Sequence, residues 1–381
     1  MAFTVPVVIA GYARSPFTAA GKGALSKVRA DDLAAQVIKG LMKQTGVKPE
    51  LVEDLILGCA FPEGEQGFNL ARLVGFIAGL PQSVAGVTVN RFCGSSMQAV
   101  HIAAGAIQLG AGECFIAAGV ESMSRVPMTG FNPMPNPELY ARMPEAYMGM
   151  GETAENLAKK YSIPRADQEV FAVASHKKAT SAQGKGYFKN EIIPIETPNG
   201  VVKEDGLIRP EANVAKLAEL KPAFDAKGSV TAGTSSPLTD GASAVLVCSE
   251  AFAKKHKLKV MARILGTAVS GCAPEIMGIG PVESSRKALE RAGLTLADMD
   301  IIELNEAFAA QSLSVLKELK VDESKVNMDG GATALGHPLG ASGARILGKA
   351  ASLLVRTGKT YALATMCIGG GQGIATVLEK A

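Results

Sequence analysis

The sequence predicts an α/β protein made of two halves with one topology, and three observations carry that prediction. Strand-like and helix-like segments alternate along most of the 381 residues. Two stretches share one pattern of helix, glycine and strand. "GLMKQTGVKPELVEDLILG" turns at Gly46, and "KALERAGLTLADMDIIELN" turns at Gly293. A second pair, in which Cys93 and Gly340 open helices that lead into strands, has the same separation of 247 positions (293 − 46 and 340 − 93). Chance produces one such match; two at one offset indicate a duplication. Residues 1–120 with 250–270 are expected to form the first half and 271–381 the second. Residues 121–249 are then a loop domain inserted in the first.

Each element has a local reason. "VPVVIAGYARSPF" is apolar, without a basic leader or a helical stretch, and reads as a first strand rather than a signal peptide. "AGVTVN" is β-branched and ends in polar residues, whereas "SSMQAVHIAAGAIQLGAG" has helical composition and stops at glycines. "CFIAAGV" follows as a strand. "SRVPMTGFNPMPNPELYARMPEAYMGMGE" is rich in Pro and Met and is expected to be a long functional loop. Its methionines either line an adaptable apolar channel or fill gaps beneath a lid. "TAENLAKKYSIPRADQEVFAVASHKKATSAQ" supplies helices that stop and restart at "SIPRADQE". In the second half, "IIEL", the helix "ASGARILGKAASLLVRTG" and the strand "YALATMC" complete the repeat.

Composition excludes several classes. Hydrophobic residues are 47% and charged residues 20%, as in folded soluble proteins. A net charge of +3 with no long basic run argues against a general nucleic-acid binder. No apolar run reaches membrane length, so no membrane insertion is expected. The six cysteines are scattered without C-x-x-C, which predicts no disulfides and a reducing cytoplasm. The four histidines form no metal-ligand cluster. "RTGKT" is not a phosphate loop, because Leu353 stands where a glycine is required.

Four segments carry chemistry. In "NRFCGSS", Cys93 sits on a strand-to-helix turn, where free N–H groups and the helix dipole are expected to lower a thiol pKa. The alternative is a buried small hydrophobe. In "LNEAFAAQ", Asn305 and Glu306 end an apolar strand, as site residues of α/β sheets do, or cap the next helix. "GGATALGHPLGASGAR" surrounds the lone His337 with glycines, so backbone must approach it closely. In "MCIGGGQGIA", Cys367 ends a strand before a glycine turn whose N–H groups can hold an oxyanion. A Cys-His protease needs one thiol. Two thiols with a histidine and a glycine turn fit acyl transfer with an added proton shuttle.

Taken in order, "CGSSMQA", "NEAFAAQ", "GGATALGHPLGASGAR" and "CIGGGQGIA" closely resemble the signatures of the thiolase family. The resemblance extends to "GMGETAENLA", "ELKPAF" and "VTAGTSSPLTDGA", and so covers essentially the whole chain. It implies a duplicated fold of α-β-α-β-α layers with an inserted loop domain. It further implies that Cys93 becomes acylated and that His337 takes its proton and lines an oxyanion hole. By the same resemblance, Asn305 holds a water that completes that hole, and Cys367 moves the proton at the α-carbon of the acetyl unit. The N–H groups of Cys93 and Gly369 form a second hole.

The implied reaction is cleavage of a 3-ketoacyl-CoA by CoA, which serves as co-substrate; no tightly bound cofactor or metal is implied. Arg209 and Ser236 are the implied CoA contacts, with Met150, Phe224 and Met277 bordering the thioester and pantetheine end. "NRFCGSSMQA" and "TAGTSSPLTDGA" resemble the degradative members of fatty-acid β-oxidation. Short-chain members commonly carry a histidine where this chain has Gly149. Phe92 replaces a frequent Leu and Thr333 a frequent Ile. The alternatives are a short-chain acetyl-CoA C-acetyltransferase and, from another class, a non-catalytic CoA-binding scaffold subunit. A homodimer or homotetramer is implied, with a hydratase–dehydrogenase subunit as a further partner.

Overall fold

The computed structural model describes residues 4–381. Its strands are β1 (Val7–Arg14), β2 (Thr18–Ala19), β3 (Asp54–Gly58), β4 (Ala85–Val89), β5 (Cys114–Ser122), β6 (Ile195–Thr197), β7 (Gly200–Val202), β8 (Thr239–Ser249), β9 (Ala262–Gly271), β10 (Ile301–Leu304), β11 (Tyr361–Ile368) and β12 (Gln372–Lys380). Its helices are α1 (Ala30–Thr45), α2 (Leu70–Ile77), α3 (Ser95–Gln108), α4 (Pro137–Arg142), α5 (Met150–Lys160), α6 (Arg165–Gly184), α7 (Val214–Ala218), α8 (Glu250–Lys255), α9 (Gly280–Ala292), α10 (Ala309–Leu319), α11 (Ala332–Leu335) and α12 (Leu339–Thr357). Helices α1 and α9 both end at a left-handed glycine, Gly46 and Gly293, the conformation that glycine adopts without steric cost.

The main sheet runs β10-β11-β12-β9-β1-β8-β5-β3-β4. Its halves repeat one pattern: β9–β12–β11 and β1–β8–β5 are antiparallel, and β10 and β3 then add in parallel. They join where β1 meets β9 at only three positions.

Strand periodicity then sets the layers. On β1, Val8, Ala10 and Ala13 face one core with α1 and α2, while Val7, Ile9 and Tyr12 face another with α3 and α12. On β12, Ile374 and Leu378 face that same middle core, whereas Ala375 and Val377 face a third with α9. The order is therefore α1/α2, half-sheet, α3/α12, half-sheet, α9/α10: five layers, with both half-sheets covered on each face.

The boundaries differ from those expected at 249 and 270. Strand β8 lies inside the sheet, paired along its length with β5 and β1, so the return from the insertion comes at Thr239. Strand β9 pairs along its length with β12 and so opens the second half. A returning strand carries no local signal of which neighbour it will join. The insertion itself holds α4 to α7 and the β6–β7 hairpin. Met128, Met134 and Met143 in its long loop are exposed and fill no gap, whereas Met148 and Met150 are half-buried. Among the described residues, no helix is long and apolar enough to cross a membrane.

Candidate active site

Cys93 stands in a short 3-10 turn, Phe92–Gly94, between β4 and α3. The turn is held from both sides. Phe92 N–H donates to Asn90 Oδ1 at 2.8 Å, and Ser95 Oγ donates to the Phe92 carbonyl at 2.6 Å. Phe92 takes a left-handed φ of 42°, a conformation that costs a non-glycine residue energy. Gly94 lies against Ile368 at the end of β11; a Cβ there would come within 2.5 Å of Ile368 Cδ1. Close packing thus brings the turn of one half onto the strand end of the other.

That strand carries Cys367, which is fully buried beside Met277, Ala307 and Phe308, with Met150 packed on the cluster. Two backbone N–H groups, those of Gly369 and of Cys93 itself, favour the Cys93 thiolate. Burial outweighs them and pushes the thiol up to about 11, so the expected lowering is corrected: unliganded Cys93 is a neutral thiol. Burial also raises Cys367 well above the usual thiol range, and the neighbouring Cys93 adds to the rise.

His337 precedes α12. Its N–H donates to Thr239 Oγ1 at 3.0 Å, and Gly336 before it takes a φ of 99° with Leu207 and Thr239 pressed against its Cα. His337 Nδ1 lies 2.5 Å from Ser342 Oγ, and that hydroxyl donates to the Pro338 carbonyl at 2.9 Å. The hydroxyl has one proton, so the network assigns the hydrogen to Nδ1. Nε2 is left as an acceptor facing Asn305 Nδ2 at 3.3 Å. Burial, then the Arg345 charge, lowers His337 to about 3, so the imidazole is neutral. Asn305 Oδ1 is buried without a partner in the protein.

Neither Asn305 nor Glu306 caps a helix, because α10 starts at Ala309 with Phe308 before it. Glu306 instead ties three segments: it accepts from Ser175 Oγ and Asn327 Nδ2, both at 2.7 Å, and from Thr333 N–H at 3.1 Å. The buried Glu121 carboxylate on β5 does the same for the α12 N-terminus, accepting from Gly340 N–H at 2.8 Å and from Ala60 N–H at 2.8 Å.

Of the five implied CoA contacts, four gather near Cys367. Met150 covers Gly369, whose added Cβ would lie 3.3 Å from Met150 Sδ, and Met277 shares the Cys367 cluster. Phe224 packs on Gly151 and meets Phe308 edge-on at 5.8 Å. Ser236 N–H donates to the Ala307 carbonyl at 2.9 Å. Arg209 stands apart: it is exposed, and its backbone N–H donates to His176 Nδ1 at 3.2 Å. Sequence reasoning missed Ser342, Thr239, Phe308 and Glu121. Only Ser342 had a local signal, one helical turn past the His-Pro in "HPLGAS". Among the described residues, no group of His, Cys, Asp and Glu is arranged to hold a metal.

Residues 7–251 match the family model of the thiolase N-terminal domain, and residues 258–380 match that of the thiolase C-terminal domain. The chain belongs to the thiolase family. Among thiolases, it is 46% identical to a 3-ketoacyl-CoA thiolase of Bacillus subtilis (strain 168), with 98% of each chain covered. It is 50% identical to one of Aliivibrio fischeri, covering 98% of this chain and 99% of that one. The human mitochondrial 3-ketoacyl-CoA thiolase, solved in complex with CoA, superposes with a TM-score of 0.92 at 39% identity over 100% of this chain and 99% of that chain. A Bacillus anthracis acetyl-CoA acetyltransferase gives 0.91 at 40% identity, with 99% of each chain covered. As a thiolase, the protein is an acyltransferase with the layered fold of that family.

Proposed function

We propose that the protein cleaves 3-ketoacyl-CoA with CoA, releasing acetyl-CoA and a shortened acyl-CoA. One observation supports this above the others: two buried thiols, Cys93 and Cys367, come together from opposite halves, and the Gly369 N–H that follows Cys367 favours the Cys93 thiolate. Cys93 Sγ attacks the C3 carbonyl while His337 Nε2 takes the thiol proton. The C2–C3 bond breaks, its electron pair forms the acetyl-CoA enolate, and Cys367 gives a proton to C2. The CoA thiol then attacks the acyl-Cys93 thioester and gives its proton to Cys367. Cys93 leaves as a thiol, regaining its proton from His337.

The difficult species is the enolate, and N–H dipoles fixed beforehand give the largest help. The Cys93 and Gly369 N–H groups serve one oxyanion. His337 serves the other with a water on Asn305, whose buried Oδ1 is free to accept from it. Met150, Phe224, Met277 and Ser236 border the pantetheine and thioester, and the exposed Arg209 guanidinium meets a CoA phosphate.

The degradative branch is favoured by the 3-ketoacyl-CoA thiolase relatives and by Gly149 in place of a histidine. The acetyltransferase likeness supports a second, short-chain reading. A rate profile over acyl-chain length separates them. Each buried methylene contributes up to ~0.8 kcal/mol, so the first reading predicts medium-chain substrates cleaved at least as efficiently as acetoacetyl-CoA. Activity confined to the four-carbon substrate selects the second.

A homodimer or homotetramer in the cytoplasm completes the proposal. Strand β4 ends the sheet, with Val87 exposed on it and Phe68, Leu73 and Phe76 exposed nearby in sequence. An open edge with an apolar surround favours association with another copy. A hydratase–dehydrogenase subunit is a further partner in this reading, and co-purification tests it.

A further inference from the structure

Strand β10 and helix α12 are tied together twice. Alternation along β10 sends Ile302 and Leu304 to the outer core and Ile301 to the middle one. Glu303 and Asn305 follow Ile301 at spacing two, so they face α12 as well. Asn305 Nδ2 reaches His337 Nε2 at 3.3 Å, and His337 Nδ1 reaches Ser342 Oγ on α12 at 2.5 Å. Two positions back along the strand, and one turn on along the helix, Arg345 Nη1 donates to Glu303 Oε2 at 3.3 Å. The two ties are parallel rungs, one polar and one ionic.

The ionic rung is out of place by packing alone. Glu303 is 0% exposed and Arg345 1% exposed, beside a largely apolar middle core. A buried ion pair is weak evidence for stability, since apolar residues of similar volume often do as well. This one is also incompletely satisfied: Glu303 Oε1, Arg345 Nε and Arg345 Nη2 have no hydrogen-bond partner, and neither does the nearby Tyr12 hydroxyl. The pair is the end of a buried charge lattice. Lys349, one turn further along α12, contacts Glu191 at 2.5 Å and Asp329 at 3.2 Å. Arg14 on β1 contacts Glu191 at 2.9 Å and Asp205 at 2.7 Å, and the exposed Arg356 closes the far end on Asp329 at 2.6 Å. Tyr12 on β1 lies against Gly348. Four cations face four carboxylates, and only the Arg345 end reaches toward the imidazole.

We propose that the Glu303–Arg345 pair is a positioning element of the active site, which fixes β10 against α12 so that Asn305 and His337 meet in the reactive arrangement. The proposal rests on the roles given above to Asn305 and His337. Neither Glu303 nor Arg345 touches substrate in it. Arg345 has a second effect, because its charge disfavours a proton on His337.

The test is steady-state thiolysis of acetoacetyl-CoA at about pH 8, with Tm and near-UV circular dichroism as checks on folding. The main variant is Glu303→Gln/Arg345→Met, which removes both charges and leaves no unpaired ion. We expect KM within about twofold of the parent and kcat lower by roughly 10–100-fold, the size of effect a small misplacement of reacting groups produces. Arg345→Lys, which keeps a cation facing Glu303, should lose less kcat than the double variant. If the double variant does not fold, Arg345→Lys and Glu303→Gln alone carry the test, with kcat expected to fall in both at unchanged KM. A folded double variant with unchanged kcat overturns the proposal, as does a loss of Tm with no change in the kinetic constants. Asn305→Ala and His337→Ala serve as controls: if they leave thiolysis intact, the proposed function fails; if they abolish it while the Arg345 variants do not, only this inference fails.

Discussion

Asn305 Nδ2 lies 3.3 Å from His337 Nε2, joining a strand end to a glycine-rich loop 32 residues later in the chain. The contact leaves Asn305 Oδ1 free and turns the imidazole lone pair into the site. Replacing Asn305 by Ala should lower kcat by ~10²–10³-fold with KM nearly constant, the cost typical of one lost oxyanion donor. Thiolysis of acetoacetyl-CoA reads it. A kcat within threefold of the parent would assign Asn305 to structure alone.

Ser342 is the second support of His337. In Ser342→Ala, the buried Nδ1–H loses its acceptor, a cost of ~1–3 kcal/mol, and the tautomer is no longer held. Imidazole 15N shifts of the parent protein should show the hydrogen on Nδ1 of His337, and the variant should show a mixture. A parent spectrum with the hydrogen on Nε2 would contradict the assigned network.

Burial, then the Arg91 and Arg291 charges, lowers the half-buried His101 to about 3. Unfolded, a histidine binds a proton below about pH 6.5; folded, this one does not until far lower. The unfolded state therefore gains the proton first, and the contribution to stability is present above pH 6.5 and lost as pH falls. Buried carboxylates whose pKa burial raises, such as Glu121, act in the opposite direction, so the effect must be read as a difference. From about pH 6 to 4, the parent should lose ~1.4 kcal/mol per pH unit more than His101→Gln in urea unfolding. Parallel pH dependences of the two proteins would refute the neutral state of His101.

Met150 sits over Gly369, so a methyl group at 369 must push it by a few tenths of an ångström. Gly369 does not need a left-handed backbone, and Gly369→Ala should keep its N–H in place. The variant should fold normally and raise KM for acyl-CoA about threefold to tenfold, at ~1.4 kcal/mol per factor of ten. Met150→Ala in the same chain should recover part of it. A kcat loss at constant KM would place the methyl group against the reacting atoms instead.

Much of this arrangement was legible in the sequence because duplication and glycine placement are local signals. The turns at Gly46 and Gly293, the helices opened near Cys93 and Gly340, and the four segments that meet at the site all lie where residue pattern put them. Partner choice was not legible. Whether β8 and β9 join one half or the other depends on long-range pairing. The Cys93 pKa was misjudged because the turn's N–H donors are visible in sequence and the burial that overrides them is not. The Glu303–Arg345 pair spans 42 positions, with no spacing rule to connect its members.

The division of labour between Cys93 and Cys367 is the centre of the account. In the proposed reaction Cys93 bonds to carbon, whereas Cys367 moves only a proton, a role typically contributing ~10²–10⁴-fold. Intact-protein mass spectrometry after incubation with acetyl-CoA, beside a thiolysis assay, separates the two roles in one experiment. Cys93→Ala should show no acetylated form and no activity. Cys367→Ala should still be acetylated, at Cys93, while cleavage of acetoacetyl-CoA falls by at least ~10²-fold. Acetylation and cleavage falling by the same factor in Cys367→Ala would contradict the assignment.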